Sequence, residues 1–376
     1  MLVQSPVAGD TRVIREASTL AAAGHDVHVV GRDIPDDFVP PPAVTVESVG
    51  RVGGLRPGGE RPARDPLPVR TARWLLLPEH RARVERAWTK AAGERAAAGP
   101  PADVVHAHDF NTLGLAEGLA RRWGAKLVYD THEYWGGRPR VGRPTPVRAA
   151  RARRAERELG GRADVVVTVG DGVAGALRRD HGWDTVRVVR NTFEPRGMPG
   201  RTPDAPSGAV YAGRLAAYRE LEVIAAASAR LDLPVTLVGP ADPAWLAGFD
   251  PGRAEVRSAA SLGEVDDMLV AAGLALVTHS NRWPNHLLAL PNKLFHAVRV
   301  GVPVVATDVG ELGHTVREHG LGTLYRPGDA DDLVRAVGSA VATYPSLREA
   351  VTRATPVLSW PQDAAVLLDI YAQLTT

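Results

Sequence analysis

The sequence predicts an α/β protein in which two Rossmann-like, doubly wound domains face a cleft. Short apolar runs alternate with helical segments along most of the chain, and this βαβ order is typical of a parallel sheet. At 376 residues the chain is also longer than a single core usually supports. Residues 194–207, rich in proline and glycine, separate two such alternating series and have the composition of a linker.

The first series predicts an N-terminal domain over residues 1–193. It opens with a short strand at residues 2–4 and a loop at residues 5–10. A helix is expected over residues 11–23, and Gly24 is expected to end it. Later apolar runs predict buried strands at residues 27–30, 104–107, 126–129 and 165–168.

The second series predicts a C-terminal domain over residues 208–360. Its apolar runs indicate strands at residues 209–212, 235–238, 274–277 and 302–306. Residues 362–374 are amphipathic, so a final helix is expected within residues 361–376. In open α/β sheets ligands bind beyond the carboxyl ends of the strands, and the cleft is expected there.

Composition excludes several classes of site. The chain has no cysteine, so it holds no disulfide, no thiol nucleophile and no cysteine-ligated metal. A formal net charge of +2 without a long single-sign tail argues against nucleic acid as the partner. No apolar run reaches membrane-spanning length and no leader pattern opens the sequence, so a cytoplasmic protein is expected. The loop after the first predicted strand, residues 5–10, holds no G-x-G-x-x-G pattern, which disfavours a dinucleotide dehydrogenase.

Two segments are distinctive in composition. Residues 50–66 are rich in glycine, proline and arginine and predict a surface loop, of the kind that builds acceptor pockets. Residues 148–159 predict a strongly basic helix. That helix is either a solvated face or a surface for an acidic acceptor or for membrane headgroups. Peripheral membrane contact is therefore one of the expectations for this chain.

Polar residues occupy three predicted loops of the N-terminal domain, Gly9–Arg12, His106–Asp109 and Asp130–Glu133. A glycine-containing loop before a helix admits a phosphate or a sugar closely, although many such loops look alike. His132 and Glu133 also fit a plainer interpretation, a local cap beside a surface acid. A zinc site would use these residue types, but their spacings match no known metal motif.

Cations follow the first predicted strand of the C-terminal domain and begin a later helix. Arg214 and Arg219 could hold a diphosphate bidentately, although surface arginines are the plainer interpretation in an arginine-rich chain. Lys293 is one of three lysines among 45 basic residues. Pro291 is expected in the first turn of its helix, where the missing N–H is not needed. The free amides of that turn together with Lys293 suit a phosphate, and a solvated lysine is the alternative.

At these residues the sequence resembles the retaining family 4 glycosyltransferases, which have the GT-B fold. The matching pieces occur in the family's order and span nearly the whole chain. They are Gly9–Arg12, Val105–Asp109, Tyr129–Glu133, Val189–Asn191, Gly213–Leu215, Pro291–Phe295 and Gly301–Ala306. Each piece is modestly specific, whereas the ordered set is a strong resemblance.

The resemblance implies a nucleotide-diphosphate sugar held mainly by the C-terminal domain, and a last helix that crosses back to the N-terminal domain. It assigns catalysis to His132, Arg214 and Lys293, with His132 touching the donor sugar. The donor-binding residues that it implies are Gly9, Arg214, Arg219, Asn292, Lys293, Leu294, His296 and Glu311. The acceptor-side residues that it implies are Asp10, Arg12, His108, Asp109, Glu133 and Asn191.

The sequence departs from the family pattern beside Lys293. The family has two glutamates eight positions apart there, and Leu288 and His296 stand in their places. The second glutamate usually accepts hydrogen bonds from the nucleotide ribose, whereas a neutral histidine accepts one such bond. Glu311 is an acid that could take over this role. The nucleotide therefore stays open among UDP, GDP, dTDP and ADP.

The implied activity is a retaining transfer to a small-molecule acceptor, such as a specialised metabolite, or to a lipid-linked acceptor. The family mechanism uses no metal and no cofactor beyond the co-substrate, because the arginine pair and the helix terminus meet the charge of the leaving diphosphate. Two alternatives are a catalytically idle auxiliary protein that binds sugar nucleotides and a GT-B epimerase, which would release its product without an acceptor. The presence of His132, Arg214 and Lys293 argues against the idle protein.

Overall fold

The computed structural model describes residues 1–50, 67–138, 146–196 and 203–376. The chain divides into two compact units. The N-terminal unit consists of Met1–Thr168, Leu177–Arg187 and Val366–Thr376, and the C-terminal unit of Val169–Ala176 and Val188–Ala365. The acceptor loop predicted at residues 50–66 lies, apart from Gly50, outside the described residues, and so does the middle of the linker predicted at residues 194–207.

The N-terminal unit is built on a parallel sheet. Its described strands are β1 (Leu2–Pro6), β2 (Val27–Arg32), β3 (Val44–Val49), β4 (Val104–His108), β5 (Lys126–Thr131), β6 (Val165–Thr168) and β7 (Val186–Val188). They lie in the order β3-β2-β1-β4-β5-β6-β7, and the pairs from β3 to β6 are parallel. The strand order reverses direction between β1 and β4, which places the ends of these strands where an open α/β sheet binds its ligands.

Helices connect these strands. They are α1 (Thr11–Ala22), α2 (Leu67–Ala98), α3 (Phe110–Trp123), α4 (Pro146–Gly160) and α5 (Asp171–His181). The first part of α5, as far as Ala176, belongs to the C-terminal unit. The carboxylate of Asp10 accepts a hydrogen bond from the backbone N–H of Val13 at 3.2 Å and so caps α1. Single 3₁₀ turns follow β1 at Val7–Gly9 and β5 at Trp135–Gly137.

The C-terminal unit repeats the same plan. Its strands are β8 (Gly208–Ala212), β9 (Val235–Val238), β10 (Glu255–Arg257), β11 (Gly273–Val277), β12 (Val304–Thr307) and β13 (Gly322–Tyr325). The order is β10-β9-β8-β11-β12-β13, and every neighbouring pair is parallel. The helices are α6 (Leu221–Ser228), α7 (Pro243–Leu246), α8 (Leu262–Ala272), α9 (Pro284–Leu288), α10 (Asn292–Arg299), α11 (Gly310–His319), α12 (Ala330–Ala342) and α13 (Tyr344–Ala354). The last helix, α14 (Trp360–Thr375), begins in this unit, and from Val366 onward it belongs to the N-terminal unit.

The predicted fold class, two parallel-sheet α/β domains, is confirmed. Some local expectations are corrected. Ser5 and Pro6 continue the first strand instead of opening a loop. The strand expected at 302–306 begins at Val304, after Pro303, which has no N–H to give to a ladder. No helix among the described residues is both long and apolar enough to cross a membrane.

Candidate functional site

The N-terminal unit gathers a polar cluster at the carboxyl ends of β4 and β5. His108, the last residue of β4, pairs in register with Asp130 near the end of β5. The loop that follows β1 lies beside them, because β1 pairs with β4. The predicted strand-end residues therefore meet at one edge of the sheet, as a parallel sheet requires.

Asp130 is the centre of this cluster. Arg12, from α1, donates to both of its carboxylate oxygens, through Nε at 2.8 Å and Nη2 at 2.9 Å. Arg12 Nη2 also lies 3.0 Å from Oε1 of Glu16, one turn further along α1. All three side chains are buried. Arg12 was predicted on the acceptor side; its guanidinium is 2% exposed and contacts two carboxylates, so it also has a structural role within the unit.

Three histidines surround the same carboxylate. His108 Nδ1 lies 3.3 Å from Asp130 Oδ2, and His132 Nε2 lies 3.5 Å from it. His108 and His132 are joined by an Nδ1–Nε2 contact of 3.1 Å. His106 stacks on His108 with 4.4 Å between ring centroids, and its Nδ1 is 2.9 Å from the hydroxyl of Tyr371 in α14. His108, predicted on the acceptor side, is thus a buried support for His132.

Burial and neighbouring charges shift the pKa values of the cluster residues in opposite directions. Burial raises the pKa of Glu16 to about 8, while burial lowers the pKa of His108 to about 3. Burial alone would raise the pKa of Asp130, but the Arg12 guanidinium and the His132 ring hold it well below its usual value. Burial alone would lower the pKa of His132, and Asp109 and Asp130 outweigh it and raise that pKa to about 9. His132, 21% exposed, is therefore an imidazolium at neutral pH.

Asp109 holds His132 from the other side. Its Oδ1 accepts a hydrogen bond from the backbone N–H of His132 at 3.2 Å, and its Oδ2 lies 3.8 Å from the His132 ring Nδ1. The backbone of Asp109 has φ 64°, a left-handed conformation that is uncommon outside glycine. A bond from its N–H to the carbonyl of Asp130, at 2.8 Å, fixes this conformation. Strain of this kind is often kept at functional sites.

A metal ion is a further possibility for the buried part of the cluster. Within the described residues, potential ligand atoms of Glu16, His106, His108 and Asp130 lie within 4.8 Å of one another. No sequence spacing signalled this group, because its members come from three separate elements. Arg12 already binds both oxygens of Asp130. A divalent cation would have to share that carboxylate with a fixed positive charge, so the residues fit an ion-pair network better than a metal site.

The remaining N-terminal candidates, Gly9, Asp10 and Glu133, are more exposed than Asp130. Gly9 is exposed in the 3₁₀ turn before α1. Asp10 caps α1, and its Oδ2 accepts a hydrogen bond from Ser5 Oγ at 2.6 Å. Glu133 accepts from Arg138 Nε at 2.7 Å, and the Arg138 guanidinium lies 4.0 Å from the centroid of the Trp135 ring. Asp10 and Glu133 therefore have structural partners of their own.

Lys293 lies in the first turn of α10 in the C-terminal unit. Pro291 is the N-cap of that helix and not its first helical residue, which corrects the sequence expectation by one position. The Lys293 ammonium is 4.9 Å from the centroid of the Tyr211 ring, a cation–π distance. Burial, followed by the charge of Arg219, lowers the pKa of Lys293 to about 7. No acid is among the groups that shift it.

Two histidines share this positive surrounding. Burial lowers the pKa of His279 to about 2, and the charge of Lys293 adds to the effect. The pKa of His286 is also lowered, by burial first and by Arg219 second. Arg214 is exposed. Among the described residues neither Arg214 nor Arg219 has a carboxylate within 4 Å of its guanidinium. Arg214, Arg219 and Lys293 thus leave positive charge unneutralised.

The other predicted donor residues have different surroundings. Leu294 is fully buried in the core of the unit, so its side chain cannot contact a ligand. Asn292 accepts a hydrogen bond from Asn191 Nδ2 at 2.9 Å. Asn191 was expected on the acceptor side of the N-terminal domain, but it belongs to the C-terminal unit. The His296 ring packs against the ring of Phe193, with 4.4 Å between the ring centroids.

Glu311 lies in the first turn of α11, and it accepts a hydrogen bond from the backbone N–H of Gly172. Burial, together with the nearby Asp171, raises its pKa. The carboxylate is thus directed at the start of α5, which leaves less of it for a ribose. Leu288 ends α9 and offers no polar side chain.

Several residues of the cluster around Asp130 and of the group around Lys293 were not predicted from the sequence. Glu16, His279 and Tyr371 carry no motif of their own. Glu16 follows Arg12 by one helical turn, a spacing that favours an ion pair and could have revealed it. Tyr371 is 265 positions from His106, and no local pattern connects them.

Two family models match the chain. One, described as a glycosyl transferase 4-like domain, matches residues 9–192. The other, described as glycosyl transferases group 1, matches residues 207–343. The two matches follow one another and together span most of the chain, including Arg12, His132, Arg214 and Lys293.

Similar proteins come from several organisms. The chain is 26% identical to the glycogen synthase of Mycobacterium tuberculosis over 385 residues, 97% of this chain and 91% of that protein. The sucrose-phosphate synthase structure from Thermosynechococcus elongatus has a TM-score of 0.71 at 19% identity, covering 100% of this chain and 98% of that chain. The Anabaena HepE structure with UDP-glucose has a TM-score of 0.66 at 13% identity, with 99% of both chains covered. At these identities the structures show a common fold alone.

Proposed function

We infer the function of this chain from its family, since it belongs to the glycosyltransferases that join a glycosyl transferase 4-like domain to a group 1 domain in the GT-B fold. We propose that it transfers a sugar from a nucleotide-diphosphate donor to a small-molecule or lipid-linked acceptor, with retention of the anomeric configuration and without a metal ion. A specialised metabolite is one such acceptor.

One observation carries this proposal, the uncompensated positive charge of Arg214, Arg219 and Lys293. Cations without a carboxylate partner are costly to hold close together, and a bound diphosphate removes that cost. Arginine forks hold phosphate oxygens bidentately, and the ammonium adds a compact charge beside them. The first turn of α10 adds backbone N–H groups and the positive end of the helix dipole.

The same groups would promote bond breaking. Negative charge develops on the β-phosphate as the sugar leaves, and fixed cations stabilise it without the help of a metal. In the retaining mechanism of the family the acceptor attacks the face from which the diphosphate departs, and a phosphate oxygen takes the acceptor's proton. We assign His132 to contact with the donor sugar, because it is the partly exposed, positively charged member of its cluster.

UDP is the nucleotide we propose to test first. The Anabaena HepE structures hold UDP and UDP-glucose, and their fold is that of this chain. The replacement of a glutamate by His296 alters ribose recognition, so affinity for UDP is expected to be lower than a carboxylate would provide. Asn191 and Asn292 offer amide groups near the same helix start.

The test is calorimetry and thermal shift with UDP, GDP, dTDP and ADP, followed by the corresponding nucleotide sugars. A ligand that binds only the folded protein raises the melting temperature in step with its concentration over Kd. Selective binding of one nucleotide supports the transferase. If neither a nucleotide nor a nucleotide sugar binds, the transferase proposal fails. Binding of a nucleotide sugar without turnover in the presence of acceptors would favour the idle auxiliary protein.

Two further measurements address the mechanism. If a sugar product is released or rearranged in the absence of any acceptor, the result supports the epimerase alternative and contradicts the transferase proposal. Activity unchanged by EDTA supports the metal-independent route, whereas loss that only added metal restores would refute it. The anomeric configuration of the product, read by NMR coupling constants, tests retention.

A further inference from the structure

A second basic site lies in the N-terminal unit, and none of its residues has a role in the proposed transfer. A cavity of about 600 Å³ opens beside α4. Its wall is formed by three arginines of α4, by the end of α5 and by Tyr134. The arginines are Arg153, Arg154 and Arg157, and the α5 residues are Asp180 and His181. The cavity therefore concentrates guanidinium groups in a concave surface.

The arginines are neutralised only in part. Arg154 Nε pairs with Oε1 of Glu158 at 2.7 Å, on the exposed face of the helix. Arg157 Nη2 donates to the backbone carbonyl of Asp180 at 2.6 Å, a bond that orients the guanidinium but cancels no charge. In the described part of the chain, Arg153 has no carboxylate within 4 Å. Two of the three positive charges are thus free to meet a ligand.

Among the described residues of the cavity wall, the one carboxylate, that of Asp180, already has partners. Asp180 Oδ2 accepts a hydrogen bond from the hydroxyl of Tyr134 at 2.6 Å, and Oδ1 accepts from Arg179 Nε at 3.2 Å. Beneath the wall, Glu156 is fully buried and accepts from the Tyr129 hydroxyl at 3.0 Å. Burial, followed by the charge of Arg157, lowers the pKa of His181. The cavity consequently keeps a positive field at neutral pH.

We propose that this cavity is a binding site for a small phosphate ester. Such an ester carries about −1.5 to −2 charges at pH 7, which matches the two uncompensated guanidiniums. Each guanidinium presents paired N–H donors to phosphate oxygens, and Arg157 is already held in place, so less side-chain freedom is lost on binding. Small-molecule sites typically measure about 300–1,000 Å³, and the cavity is large enough for a phosphate with an attached sugar or polyol.

The experiment is isothermal titration calorimetry with glucose 6-phosphate and glycerol 3-phosphate at physiological salt, with glucose as the uncharged control. Saturating UDP occupies the cations of the C-terminal unit. The titration is repeated in an Arg214→Gln/Lys293→Gln protein, so that the result does not depend on whether UDP binds. We expect one site for at least one ester, none for glucose, and affinity at least tenfold weaker in Arg153→Gln and in Arg157→Gln.

Arg151→Gln is the matched control, because Arg151 is exposed on the same helix but does not line the cavity. It should leave ester binding unchanged. Arg153→Gln removes no ion pair with a described carboxylate, so it remains informative if Arg157→Gln fails to fold. Absence of ester binding, or an equal loss in Arg151→Gln and Arg153→Gln, overturns the proposal.

Sedimentation with vesicles distinguishes a site for a soluble phosphate ester from a surface that binds membrane lipids. Binding to phosphatidic acid vesicles without binding to either soluble ester would mean that α4 is a charged face for lipid, and the proposal would fall. UDP affinity, measured on the same variants, reports on the donor site alone. Failure of the cavity proposal and failure of the transferase proposal are therefore distinguishable.

Discussion

The guanidinium of Arg12 and the carboxylate of Asp130 form a buried, two-point ion pair between residues 118 positions apart, with N–O distances of 2.8 and 2.9 Å. Asp130 in turn stands 3.5 Å from the ring of His132. Arg12 thereby fixes the orientation and the charge of the carboxylate that keeps His132 protonated. A buried side chain thus orients the carboxylate beside His132, which is the partly exposed histidine of the cluster.

Arg12→Met should be strongly destabilising, because it removes both hydrogen bonds and the nearest positive charge from the buried carboxylate of Asp130. We expect a loss of about 3–5 kcal/mol in the free energy of unfolding. Denaturant unfolding of the two proteins measures it. Arg95→Met is the control, since the Arg95–Glu47 pair at 2.7 Å is exposed and should contribute less than about 1 kcal/mol. Equal losses in the two variants would contradict a special role for the buried pair.

The ring of His132 should titrate near pH 9, far above an ordinary histidine. Burial opposes this value, and the carboxylates of Asp109 and Asp130 more than offset burial. Because the folded pKa is the higher one, the stabilisation is complete below about pH 6.5 and is lost as pH rises through 9. NMR titration of the histidine resonances measures the pKa. In Asp109→Asn it should fall, and an unchanged pKa would show that Asp109 does not hold the proton.

His132→Ala should separate binding from turnover. If His132 contacts the donor sugar, its loss should lower kcat by about tenfold or more and leave the affinity for the free nucleotide nearly intact. Kinetics with the nucleotide sugar and calorimetry with the nucleotide alone measure the two effects. Parallel losses of affinity and turnover would indicate a general disturbance of the N-terminal unit and would refute the assignment.

Lys293 should take up a proton when a diphosphate binds. Its pKa of about 7, lowered by burial and by Arg219, leaves it largely neutral at pH 8, and a bound diphosphate raises that pKa again. Affinity for UDP should therefore fall as pH rises above 7. Calorimetry at pH 8 in buffers of different ionisation enthalpy should show uptake approaching one proton.

Two variants test the assignment of that proton. Lys293→Gln should weaken UDP binding by about tenfold or more and abolish the uptake, because glutamine does not titrate. Arg214→Gln should weaken binding and retain the uptake, since arginine stays charged throughout this range. Proton uptake that survives in Lys293→Gln would assign the proton to another group.

Much of the fold could be predicted, because parallel strands buried on both faces appear as continuous apolar runs. The strands that were missed, β3, β7, β10 and β13, lie at sheet edges. In β10, for example, Glu255 and Arg257 are exposed. An apolar-run criterion does not detect such strands. In the N-terminal cluster, the positions of polar residues at strand ends predicted which residues lie close together. They did not predict which of the charged side chains are buried. Arg12 and His132 both belong to motifs, and only the packing around Asp130 shows that one supports the other.

Glu156 provides a prediction about stability. Burial raises the pKa of its carboxyl to about 7, and the hydrogen bond from Tyr129 offsets only part of that effect. An acid with a raised pKa binds its proton more tightly when folded, so stability falls as pH rises from about 4.5 to 7 and is then level. Glutamine keeps an acceptor for Tyr129 and has no charge to bury. Glu156→Gln should therefore stabilise the protein by about 2–3 kcal/mol more at pH 8 than at pH 5. Urea unfolding at the two pH values measures this difference, and a pH-independent effect would mean that Glu156 is not the group being titrated.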